Sequence, residues 1–284
     1  MQQNKNVVQR GIEAKWKSVP RIDTPIHKAN VLLPPGEWQR FDPFLLMAED
    51  DMKKGAFDYH PHRGIETVSY MIDGELHHKD NRGYAGVLKK GDTQWMSAGK
   101  GLLHLEEAAE NGFAHLLQLW INLPADKKMT EPRYQEILLS QTPVRKEDGV
   151  SYRVISGSSG GVISATKNYT PVTMVEIIVS SGRTAVQDFT EDHNGFIYVL
   201  EGSGTFGANK LKASTQEVLW MSPSIDTKSE IVFHAQDDLK VLVIAGKPLR
   251  EPVVANGPFV MNTEEQIRKA YADLRAGAFG KWPH

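Results

Sequence analysis

The chain has 284 residues, and its 33 Lys and Arg against 35 Asp and Glu leave a formal net charge of −2, without the basic excess that marks a nucleic-acid surface. Cysteine is absent, which excludes disulfide frameworks, thiol nucleophiles and thiolate-held zinc or iron–sulfur sites. With 40% hydrophobic residues, no apolar run near the roughly 18–20 residues that span a bilayer, and no apolar stretch in MQQNKNVVQRGIEAKWK, the expectation is a soluble, cytoplasmic chain of two domains.

Strand signals dominate in chain order. Thr67 to Ile72 is β-rich and is predicted to close at the turn dipeptide Asp73-Gly74. Ala114 to Leu123 (AHLLQLWINL) reads as a strand ending at Pro124. The polar stretch Ser156 to Gly161 lies near the expected boundary between domains 1–145 and 146–284. Val172 to Val179, Phe196 to Leu200 and Lys240 to Ala245 are further short runs bounded by turn residues. Short strands separated by turn chemistry point to sandwiches or barrels rather than βαβ units. Gly202-x-Gly204-x-x-Gly207 matches a dinucleotide fingerprint by letters, but no helix pattern follows, so it reads as a hairpin turn. Thr263-Glu264-Glu265-Gln266 is a capping box, followed by Ile267, Ala270, Tyr271 and Leu274 at helical spacing and by Gly277, which predicts an amphipathic helix over 263–276.

The chain also echoes itself. Tyr70-Met71-Ile72-Asp73-Gly74 resembles Tyr198-Val199-Leu200-Glu201-Gly202 at an offset of 128 residues, and Trp95-Met96-Ser97 matches Trp220-Met221-Ser222 at an offset of 125. Two ordered echoes point to two copies of one β module.

The chemistry gathers in the first copy. In His60-Pro61-His62 the side chains at i and i+2 of an extended segment share a face, and Pro61 biases the segment away from helix. His104-Leu105-Glu106 repeats that geometry with an imidazole and a carboxylate. Brought together, His60, His62, His104 and Glu106 would offer three nitrogens and one oxygen to a divalent first-row metal with positions left open. The bland alternative is two unrelated surface pairs, and the glycines and Trp95 leading up to His104 count against it.

The stretches HPHRGIETVSYMIDG, GDTQWMSAGKGLLHLEE, LQLWINLP and GPFVMNTEEQ closely resemble the pirin family, from about Val19 to the C-terminal helix. The resemblance implies an all-β double cupin, an N-terminal barrel (1–145) with a metal and a C-terminal barrel (146–284) without one, ending in a helix. It implies that His60, His62, His104 and Glu106 are the ligands of an iron(II) ion, with Ni, Cu, Mn, Co or Zn as alternatives. Ser97 stands where the general cupin pattern often has proline, and Glu66, the cupin glutamate, is left beside the site rather than in it. The resemblance further implies quercetin 2,3-dioxygenase-like activity, with a small aromatic substrate, O₂, and Glu106 taking the substrate's hydroxyl proton.

The repeat carries its own expectation. Shifting the quartet onto the second copy lands on Asp188, Thr190, Ser229 and Ile231, which cannot hold a transition metal, while His193 and His234 are off register. Phe57, Arg63, Trp95 and Gln118 are candidate pocket residues, with a core role equally open for Trp95. His77 and His78 are adjacent, so only one can face inward on a strand, and both are expected at the solvent side. The expected state is a monomer with no direct nucleic-acid or membrane partner. A rival reading is a non-enzymatic, iron- and redox-dependent regulator that binds a transcription factor or metabolic enzyme. A sugar or sugar-phosphate isomerase is a third, with only Arg63, Arg82 or Lys100 near enough in sequence to bind phosphate.

Overall fold

The computed structural model describes residues 7–190, 192–224 and 228–282. The chain is built almost wholly of antiparallel strands, with the single long helix Glu264–Arg275 near its C-terminus. That helix has the predicted capping box: Thr263 accepts from the Gln266 amide, and the Gln266 side chain accepts from the Thr263 amide.

The strands form two compact units, and their boundaries differ from those expected. One unit comprises residues 1–18 and 142–248, the other 19–141 and 249–284. A cut at 145/146 therefore misassigns both chain ends. Strand Ile12–Lys17 pairs with Glu217–Met221, which ties the N-terminal segment to the second repeat. The C-terminal segment returns to the first repeat, where Phe259, Met261, Ile267, Ala270 and Phe279 bury against Leu103. Long-range strand pairing and apolar burial, not chain order, decide membership.

The 142–248 unit has a seven-stranded and a five-stranded sheet. Alternate residues of both, such as Val175, Ile177, Val241 and Val243 on one and Phe189, Phe206, Ile231 and Phe233 on the other, merge into one apolar cluster. Of the four positions the repeat sets against the quartet, Ile231 is in the cluster, Ser229 is buried, and Asp188 and Thr190 are exposed. Gly202, Gly204 and Gly207 lie on and around the hairpin strand Ser203–Phe206, as predicted.

The other unit is organised around a ten-stranded sheet, and its apolar residues fall into several separate clusters. Its longest strand, Ile65–Asp80, runs straight through the predicted turn at Asp73-Gly74. The register against Ala114–Asn122 slips by one residue here, a β-bulge, and Gly74 adopts φ +78° with the Phe113 carbonyl where a Cβ would be. Before the bulge the strand pairs with Thr93–Ser97; after it, with Ala85–Lys89 and Leu102–Ala108. The bulge thus carries one strand from one part of the sheet to another.

Lys128, only 1% exposed, fastens this unit from within. Its ammonium donates to the Gly64 carbonyl, Asn122 Oδ1 and the Val260 carbonyl at 2.8–2.9 Å. Gly64 needs its φ of +81° for that approach, and a Cβ there would stand 2.0 Å from the Val260 oxygen. Replacing Lys128 with Met keeps the aliphatic stem but takes a donor from three buried oxygens, so urea unfolding should show a loss of about 2–4 kcal/mol. An unchanged midpoint would mean that the three oxygens have other donors.

Candidate metal centre

Register brings the candidate ligands together. Strand His60–His62 pairs antiparallel with Leu102–Ala108, which sets His104 directly opposite His60. On its other edge, Leu102–Ala108 pairs with the end of Ile65–Asp80, which sets Glu106 directly opposite His78. Directly opposed residues share a face with their Cβ atoms about 4.5–5.5 Å apart, so four rings and one carboxylate cover a single patch of sheet.

Two overlapping groups result. Nitrogens of His60, His62 and His104 lie within 4.8 Å of one another, and so do donor atoms of His78, His104 and Glu106. Ring centroids are 4.3 Å apart for His60 and His104, 4.9 Å for both pairs that include His62, and 5.0 Å for His78 and His104. These are distances at which a divalent ion can be held after small rotations. His60 Nδ1 is 2.9 Å from the Asp58 carbonyl; a hydrogen bond there would leave its Nε2 with a free lone pair.

The electrostatics favour ligand forms. Burial, reinforced by the neighbouring His60, pushes the His62 ring down to about 3, and burial holds His104 well below its ordinary value. Both rings are therefore neutral at neutral pH. Neither His104 nitrogen has a hydrogen-bond partner although the residue is 0% exposed. For Glu106, burial raises the carboxyl, but His78, His60 and Ser69 outweigh it and hold the group below its ordinary value, as an anion. Its oxygens are placed from the neighbouring strands: Gln118 Nε2 donates to Oε2 at 3.0 Å, and the Ser69 hydroxyl lies 2.8 Å from Oε1 and 2.6 Å from Gln118 Oε1. Ser69 and Gln118 are themselves directly opposed across the sheet.

A cavity of about 240 Å³ opens over these groups. His60, His62, Glu106 and Gln118 give it a polar end, and Met52, Phe57, Leu116, Trp120 and Pro258 give it apolar walls. Asp50 also lines it and is hydrogen-bonded to the buried His27 at 2.7 Å.

Of the four expected pocket residues, Phe57 and Gln118 line the cavity. Arg63 does not: on an extended segment it points opposite to His62, donating to the Lys100 carbonyl and to Asp273 and lying over Phe279. Trp95 does not either. It is 0% exposed and shares a face with its partner Val68, whereas Ser69, which reaches Glu106, is on the other face. Glu66 is on the Trp95 face, accepting from Ser97 at 2.6 Å.

The largest revision concerns His78, which is 1% exposed rather than at the solvent side. After the bulge, Leu76, His78 and Asp80 alternate inward while His77 and Lys79 face out. Alternation allowed one of the adjacent pair His77 and His78 to face inward, and the pairing of this strand decides that it is His78.

Neutral His62 and His104 have a consequence for the metal-free protein. At His62, between about pH 6.5 and about 3, the unfolded chain binds a proton that the folded chain refuses, so its contribution to stability is full above that window and falls as pH drops through it, and the lowered His104 acts in the same direction. Thermal unfolding should show a loss of up to about 1.4 kcal/mol per pH unit from His62 alone. His62→Phe should flatten the profile; an unchanged slope would show that this ring does not titrate as a buried group.

Comparison with known proteins gives the family and the fold. Residues 28–121 match the family description Pirin, and residues 174–280 match Pirin C-terminal cupin domain. A pirin-like protein of Solanum lycopersicum is 40% identical over 250 residues, covering 86% of this chain and 84% of that protein. A crystal structure from Geobacillus kaustophilus is 48% identical with TM-score 0.85, covering 87% of this chain and 100% of that one. The crystal structure of a quercetin 2,3-dioxygenase from Acinetobacter baumannii is 30% identical with TM-score 0.86, covering 96% and 99%. This chain, an all-β double cupin, belongs to the pirin family.

Proposed function

We propose that this protein is a metal-dependent dioxygenase that opens flavonol-type rings, with His60, His62, His104 and Glu106 holding one divalent ion, iron(II) by preference. The observation that carries the reading is a set of three imidazoles with nitrogens within 4.8 Å of one another, two of which, His60 and His62, line the polar end of a cavity whose other walls are mostly apolar and aromatic. The likeness to a quercetin 2,3-dioxygenase over nearly the whole of both chains supports the substrate class.

The donor set suits a first-row ion: neutral nitrogens, one anionic carboxylate, and a fully buried His104 whose nitrogens have no protein partner. A bound ion would supply Lewis-acid activation of the substrate oxygen and an electron path to dioxygen. The remaining work falls to the chain. Phe57, Leu116 and Trp120 take the faces and edges of an aromatic ring system and keep water from it. The cavity is smaller than the roughly 300–1,000 Å³ of drug-sized sites, so one end of a flavonol would stand outside it. Glu106 takes the proton from the substrate's hydroxyl, leaving the oxygen anionic. A carboxylate that also serves as a ligand is a weak base, and the structure offers a way round this. Ser69 and Gln118 give Glu106 a second set of partners on which to rest its oxygens when it turns to the substrate.

His104→Ala should abolish tight metal retention, measured by elemental analysis after gel filtration, with the 142–248 unit still folded. Glu106→Gln should lower oxygen consumption with flavonols by about 10²–10⁴-fold. If the metal-loaded protein takes up no oxygen with a panel of flavonols and catechols, the dioxygenase reading fails. Redox-dependent capture of a protein partner would then favour the regulator.

A further inference from the structure

The four ligands of the proposed centre leave one buried imidazole without a task. His78 is 1% exposed, and neither of its nitrogens makes a hydrogen bond. Its Nδ1 is 3.9 Å from Glu106 Oε1, too long for one. An unsatisfied buried polar group is destabilising, and here two adjacent rings, His78 and His104, each carry two such nitrogens.

The Tyr134 ring stands edge-on to His78 at 4.8 Å, and Tyr84 stacks on Tyr134 at 4.0 Å, so aromatic rings pack against the imidazole. Donor atoms of His78, His104 and Glu106 lie within 4.8 Å of one another, and all three residues are buried. Ligands of a tetrahedral ion at about 2.0–2.2 Å stand roughly 3.3–3.6 Å apart, so modest side-chain rotations would close the triangle.

We propose that His78, His104 and Glu106 form a second metal position, deeper than the first and sharing His104 and Glu106 with it. Two imidazoles and a carboxylate suit a divalent first-row cation such as cobalt, zinc or iron(II). Of its three ligands only Glu106 lines the cavity, so an ion there would be more enclosed than one held by His60 and His62. The proposal rests on the reading of this cavity as a metal centre, but not on its being a dioxygenase.

The test separates the two positions. The double variant His60→Ala/His62→Ala removes only outer ligands, and after loading with Co(II) and gel filtration it should retain about one equivalent. Adding His78→Gln to it should weaken that retention at least about tenfold, the loss that even an outer-shell partner can produce. His78→Gln alone should keep the outer ion, and circular dichroism checks the folding of each variant. The inner position is refuted if the double variant holds no more cobalt than His104→Ala, or if adding His78→Gln changes nothing. Cobalt-soaked wild-type crystals give an independent reading. An anomalous peak bonded to His78 supports the inner position, and a peak only among His60, His62 and His104 overturns it. Failure of the wild type to bind cobalt at all would instead remove the metal centre itself.

Discussion

The constraint on which the site depends is the register of strand Leu102–Ala108 between its two neighbours. With His104 opposite His60 on one edge and Glu106 opposite His78 on the other, side-chain alternation does the rest. A slip of one residue would turn His104 and Glu106 to the other face and bring Leu103 and Leu105 into their place. Leu103 is itself anchored in an apolar cluster with Phe259, Ile267 and Phe279, so the register that aims the ligands is the same one that buries the leucine. Ligand placement and core packing are two results of one pairing.

The bulge at Ile72, just before Asp73-Gly74, is the second element of the arrangement. It lets one strand contribute Ser69 before the bend and His78 after it to the surroundings of the same carboxylate. Glu106 is thus reached from both halves of a sixteen-residue strand and, through Gln118, from the strand beside it. The contrast with the 142–248 unit is chemical. There the inward positions are filled by one continuous apolar cluster, whereas the metal-site unit leaves its apolar residues in separate groups with polar side chains and a cavity beside them.

Much of this was legible in the residues. His60-Pro61-His62 and His104-Leu105-Glu106 announce pairs of side chains on common faces, because an extended backbone alternates irrespective of its partners. The capping box at Thr263 fixes a helix start by local hydrogen bonds alone. Less was legible for Arg63 and Trp95, which sit beside the motif in sequence but on the opposite face of their strands. Asp-Gly is a strong local turn signal, and here pairing with flanking strands on both sides of the bend overrode it; His78 was missed because alternation alone leaves open which of two adjacent residues faces inward.

Local chemistry, then, determined which residue types could bind a metal, which of them shared a face, and where the last helix begins. Each of these follows from backbone geometry within a few residues. Tertiary structure alone decided that Gly74 would bend a strand rather than end it and that His78 would stand against Glu106. It also decided that both chain ends would cross over to the other repeat. Those outcomes turn on which distant strands pair and which apolar faces find cover, free energies summed over contacts between residues up to two hundred positions apart, and no short stretch of the chain contains them.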